Sequence, residues 1–120
     1  MESQPPPLIV YIDVDDTLIR TAGSKRIPVS GMIDHVRTLA EQGATLFCWS
    51  SGGAEYAREV ATELGLLDLF AAFLPKPQVI IDDQNVLSWR RLVQVHPGRC
   101  AVMSRERYHQ AVTGEVPLDQ

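Results

Sequence analysis

Asp13, Asp15 and Asp16 stand directly behind an apolar run, Leu8-Ile9-Val10-Tyr11-Ile12, and a second acidic pair, Asp82-Asp83, follows Val79-Ile80-Ile81. Carboxylates this close repel one another, or force a proton onto one of them, unless a cation lies between them. In an extended chain alternate side chains share a side, so Asp13 and Asp15 face one site while Val14 turns into the core. Oxygen donors without a neighbouring histidine or cysteine suit a hard cation, Mg²⁺ before Zn²⁺ or copper. Lys76, the Ser50 hydroxyl and the backbone N–H groups of Ser51-Gly52-Gly53 are donors suited to an anion. Magnesium, carboxylates and an anion cradle together point to phosphoryl transfer.

Such groups must be carried to one place by the elements around them. Leu8 to Ile12 is apolar and β-branched, bounded by prolines and acids, and reads as a buried first strand. Residues 18 to 29 mix turn formers with Arg20, Lys25 and Arg26 and read as a small loop or hairpin. Ser30 can cap a helix in which Ile33, Val36, Leu39 and Ala40 recur at helical spacing, with Gly43 closing it. Ala44 to Trp49 reads as a second buried strand, followed by a helix with Tyr56, Ala57, Val60, Ala61 and Leu64 on one face and Gly65 at its end. Leu66 to Leu74 holds a helical turn and a short strand. Val79 to Ile81 reads as another brief strand, Leu92 to Val95 as a last core strand, and Ser104 to Val112 as a closing helix.

Strands alternating with helices imply an α/β fold, a parallel sheet covered on both faces. Ligands of such sheets bind beyond the carboxyl ends of the strands. Asp13 and Asp15, Ser50, Lys76, and Asp82 with Asp83 each sit just after a strand or just before the next, so one sheet would bring them to a single rim.

The order and local context of these groups resemble the haloacid dehalogenase superfamily of phosphatases and phosphotransferases. Its four motifs run DxDx[TV], then Ser or Thr after a strand, then Lys, then an acidic pair. Here these are Asp13-Val14-Asp15-Asp16-Thr17, Ser50, Lys76 and Asp82-Asp83, within a core of about residues 8 to 95. The resemblance implies a Rossmann-like domain in which Asp13 is the nucleophile, forming an aspartyl phosphate, and Asp15 is the acid and then the base. It implies Mg²⁺ held by Asp13, the main-chain carbonyl of Asp15 and Asp82, with Asp83 bound to the ion or to its ligands. Ser50 and Lys76 would bind phosphoryl oxygens, and Lys76 would offset the charge on Asp13. Asp16 stands where Gly is commonest, and Ser51 is an alternative to Ser50. Between Thr17 and Ser30, and between Ser50 and Lys76, there is no room for a cap domain, so 18 to 29 is the only flap. Capless members are similar in acting on macromolecules or in closing the site by oligomerisation, and the flap cations could meet a substrate's flanking phosphates.

At 120 residues the chain fits one domain, with residues 1 to 7 as a lead. A net charge of −4 gives no global attraction to nucleic acid or anionic membrane, although five arginines between Arg90 and Arg107 face only Glu106. Nucleic acid therefore stays open as a partner, beside a small or macromolecular phosphorylated substrate. Cys48 and Cys100 match neither a CxxC pair nor a zinc set, and Cys48 reads as a small buried hydrophobe. No leader or membrane-spanning stretch is evident, so the expected location is cytoplasmic. The expected function is a Mg²⁺-dependent phosphatase. The alternative is a phosphoacceptor or phosphate-binding regulatory module with little turnover; a receiver domain is disfavoured because Lys76 precedes the second acidic pair.

Overall fold

The computed structural model describes residues 7–114. Most of the lead 1–7 therefore lies outside the described residues. The first apolar run folds as β1 (Ile9–Asp13), shifted by one residue so that Asp13 closes the strand. The chain then turns tightly: the Val14 carbonyl accepts from the N–H groups of Thr17, Leu18 and Ile19 at 3.2, 2.9 and 3.3 Å. It continues into an antiparallel hairpin, β2 (Ile19–Ala22) and β3 (Lys25–Pro28). Next come α1 (Ser30–Glu41), β4 (Thr45–Ser50), α2 (Ala54–Glu63), a 3-10 turn at Leu67–Leu69 and β5 (Phe70–Pro75). The strands β1, β4 and β5 pair in parallel, in the order β1-β4-β5.

Two details of α1 differ from the expectation. Ser30 is the first helical residue, and Val29 takes the cap position without a side-chain bond. Met32 is buried with Val36 and Leu39, a spacing of four and three that fits one helical face, while Ile33 and Ala40 lie at its margin. In α2 the fully buried residues are Ala57, Val60 and Ala61. Both helices close this core against Ile12, Leu46 and Cys48 from the sheet and Val14 from the loop after β1.

The α/β class with a parallel sheet therefore holds, but the expected cover on both faces is found on one. Right-handed crossovers running in one direction along β1-β4-β5 put α1 and α2 on the same side. The opposite side carries Ile9, Tyr11, Phe47 and Trp49, with Tyr11 stacked at 5.1 Å on Phe47 and edge-on at 4.9 Å to Trp49. Ile9 and Tyr11 remain exposed. Crossover helices would reach that side if the chain returned to pair beyond β1, and no strand among the described residues pairs there.

The strands expected at Val79–Ile81 and Leu92–Val95 are absent from the described residues. Only Lys76, Pro77 and Gln78 separate β5 from Val79, whereas a parallel strand needs a crossover of about a dozen residues. Ile81 is 96% exposed, as expected of an apolar residue with no sheet to enter.

The last helix, α3 (Arg105–Thr113), forms where expected, with the Ser104 hydroxyl accepting from Arg107 N. It is tied to α1 through Tyr108, whose hydroxyl donates to Cys100 Sγ at 3.4 Å and lies 2.7 Å from His35 Nε2. Burial lowers the pKa of His35 from its ordinary 6.5. The folded chain then binds fewer protons here than the unfolded one, so stability is full above about pH 6.5 and declines as pH falls below it. Thermal melts from pH 8 to pH 5 are expected to show this decline, and His35→Gln to flatten it. Among the described residues no helix is long and apolar enough to cross a membrane.

Candidate active site

The carboxyl ends of the three parallel strands meet in register: Asp13 lies beside Trp49, Trp49 beside Leu74, and Ser50 beside Pro75. Lys76 leaves β5 with its N–H bonded to the Ser50 carbonyl at 2.9 Å. Its side chain reaches back across β4, Nζ lying 5.8 Å from the centre of the Trp49 ring and 3.1 Å from Asp13 Oδ1. The other oxygen of Asp13, Oδ2, accepts from the Thr17 hydroxyl at 3.3 Å. About a third of each side chain of the ion pair is exposed, so the pair is open to a solute from the rim.

The loop after β1 keeps the alternation expected of it. Ile12 and Val14 are buried, Val14 completely, while Asp13 is half-buried and Asp15 exposed, so the two carboxylates share the side away from the core. Asp15 Oδ1 accepts from the Tyr56 hydroxyl at 2.7 Å. Asp16 has φ 63, the left-handed region that explains why Gly suits this place and why Asp, rather than a branched residue, can replace it.

Ser50 is fully buried, and its Oγ accepts from Gly52 N at 3.0 Å, which leaves its own proton to donate. Ser51, by contrast, is exposed. The turn into α2 depends on two glycines. Gly53 has φ 105 and ψ 168, a conformation restricted to glycine. A Cβ on Gly52 would lie 2.9 Å from Tyr56 Cδ2 and 3.4 Å from Ser50 Oγ. Gly52→Ala is therefore expected to cost about 1–3 kcal/mol in urea unfolding, and Tyr56→Ala to recover part of that loss by removing the ring it meets.

Asp82 and Asp83 follow a segment that forms no strand among the described residues. Both are exposed, and Asp82 Oδ1 accepts from Gln84 N at 2.8 Å in a local turn. No group of three or more His, Cys, Asp or Glu side chains able to hold a metal ion occurs among the described residues. The four-carboxylate metal set of Asp13, Asp15, Asp82 and Asp83 is thus not assembled, because Val79–Ile81 does not enter the sheet that would deliver the second pair. Beneath Asp13, the Cys48 thiol is pushed up to about 12, first by burial and then by the Asp13 charge, and offers no nucleophile.

Two residues beside the site went unassigned in the sequence, and a third has partners the sequence does not show. Thr17 was legible only as a motif position. Tyr56 lies at helical spacing with core residues, which hides that its hydroxyl reaches Asp15. Arg26 of the flap is already engaged: Nη1 lies 2.7 Å from Glu63 Oε1 and 3.7 Å from Glu59 Oε1, and the guanidinium sits 5.2 Å from the centre of the Tyr56 ring. Arg20 and Lys25 are exposed on the same hairpin.

Fold and rim define an α/β protein with a carboxylate–lysine pair at the carboxyl end of a parallel sheet. No family model matches the chain, and no curated protein matches it. Among solved structures it is similar to a structural-genomics target from Vibrio cholerae, with a TM-score of 0.55 at 20% identity, over 91% of this chain and 99% of that one. This likeness extends to the fold.

Proposed function

We propose that the chain is a small, capless, Mg²⁺-dependent phosphatase of the haloacid dehalogenase type, working through a phosphoryl group carried on Asp13. The observation that carries this reading is the 3.1 Å contact of Lys76 Nζ with Asp13 Oδ1 where three parallel strands end, with Asp15 two residues on and exposed. A lysine there sits against the Asp13 charge and offers positive charge to the incoming phosphoryl oxygens.

In the proposed reaction a carboxylate oxygen of Asp13 forms a bond to phosphorus as the bond from phosphorus to the leaving oxygen breaks. Asp15 gives its proton to that oxygen. The resulting Asp15 carboxylate then takes a proton from water, which attacks the acyl phosphate and frees inorganic phosphate. Ser50 would bind a phosphoryl oxygen through its remaining proton, with the exposed Ser51 hydroxyl as the alternative; the Gly52 and Gly53 N–H groups are already bonded to the Ser50 hydroxyl and carbonyl oxygens within the turn.

The donors suit Mg²⁺ in its sparse form, since that ion is often held by one or two carboxylates together with substrate phosphate and water. Asp13 and the main-chain carbonyl of Asp15 would hold it, and when bound it neutralises phosphoryl charge. The second reading is a phosphoacceptor module with little turnover, supported by the lack, among the described residues, of a group of three or more side chains able to hold a metal ion. Hydrolysis of an aryl phosphate with Mg²⁺ and with chelator separates the two: sustained metal-dependent release supports the phosphatase, and a single burst supports the module.

A further inference from the structure

An exposed aspartate with two free side-chain torsions samples several rotamers, and an acid that must meet a leaving oxygen gains from being held in one. Asp15 is held. The Tyr56 hydroxyl donates to its Oδ1 at 2.7 Å, while Oδ2 has no partner among the described residues. Tyr56 is itself fixed from three directions: its ring lies against Gly52, its backbone belongs to the first turn of α2, and the Arg26 guanidinium covers it. Arg26 is in turn anchored to Glu63 across from the hairpin. The contact therefore links the flap, the second helix and the acid of the proposed reaction.

We infer that Tyr56 is a positioning residue that presents Asp15 to the leaving oxygen, and that Arg26 fastens Tyr56 in that place. Because the tyrosine proton occupies Oδ1, Oδ2 is the oxygen left to hand a proton to the leaving group. The Oδ2–H bond breaks as the leaving oxygen gains its proton and the phosphorus–oxygen bond opens. This role rests on the phosphatase reading above. It is a feature of this chain's own contacts, since Tyr56 lies outside the four motifs.

A positioned acid matters most when the leaving group is a poor one. The test compares kcat/KM for phenyl phosphate and for 4-nitrophenyl phosphate, whose leaving oxygen departs with little need of a proton. Tyr56→Phe is expected to lower the phenyl ester by about tenfold and the 4-nitrophenyl ester by less than about threefold, with KM little changed. Arg26→Ala, which leaves the hydroxyl in place but uncovers the ring, is expected to show the same inequality at smaller size. In an Asp15→Ala background Tyr56→Phe is expected to cost nothing further. Equal losses on both esters, or an added loss in the Asp15→Ala background, would overturn the positioning role while leaving an Asp13-dependent phosphatase standing. Absence of metal-dependent hydrolysis in the unsubstituted chain would overturn both.

Discussion

Replacing Asp13 by Asn is expected to lower phosphate-ester hydrolysis by at least about a thousandfold while leaving the fold intact. The carboxamide keeps the shape of the side chain and an oxygen that can accept from Thr17, which lies 3.3 Å from Asp13 Oδ2. What it loses is the anionic oxygen that must bond to phosphorus. Stability should change little, because the ion pair with Lys76 is about one-third exposed and such pairs contribute about 0–1 kcal/mol. A steady-state assay with Mg²⁺, beside a urea unfolding curve of the same preparation, reads both quantities. A parallel collapse of stability would assign Asp13 a structural role instead.

Lys76→Ala comes second in expected size, at about a hundredfold to a thousandfold in kcat/KM, as for other groups placed to stabilise developing charge. The lysine holds three relations at once. Its ammonium contacts Asp13, its backbone N–H bonds the Ser50 carbonyl, and its charge lies near the Trp49 ring. Alanine keeps the backbone bond and removes the other two, so the loss isolates the charge. Lys76→Arg is expected to recover only part of it, since a planar guanidinium does not fit a seat made for a compact ammonium. An unchanged rate for the alanine variant would place phosphoryl binding elsewhere on the rim.

Much of this arrangement was legible before the structure, because it depends on short-range pattern. The alternation through Ile12, Asp13, Val14 and Asp15 fixed which side chains face the core, and the structure keeps it. The two helices followed from apolar spacing and from the glycines that end them. What failed depended on long-range pairing. Val79-Ile80-Ile81 has the composition of a strand, yet composition says nothing of whether three residues after β5 can carry the chain back to a free edge. That Asp82 and Asp83 do not complete a metal-holding group with the rim carboxylates follows from that missing strand.

The contact of Tyr56 with Asp15 was hidden for a different reason. Helical spacing places a tyrosine on an apolar face by its ring and is blind to where its hydroxyl ends. The sequence left Arg26 equally open to a substrate phosphate or to solvent at a hairpin tip, whereas the structure pairs it with Glu59 and Glu63. Pairing between residues so far apart in sequence has no local signature.

The most direct test of the central proposal is to look for the phosphoryl group on the chain itself. The protein would be mixed with Mg²⁺ and an aryl phosphate, quenched in acid during turnover, digested and weighed by mass spectrometry. The expected result is the mass of one phosphoryl group on the peptide containing Asp13, absent from the Asp13→Asn variant. Steady release of phosphate with no phosphoryl group on that peptide, or with the group on another residue, would contradict the assignment of Asp13 as nucleophile.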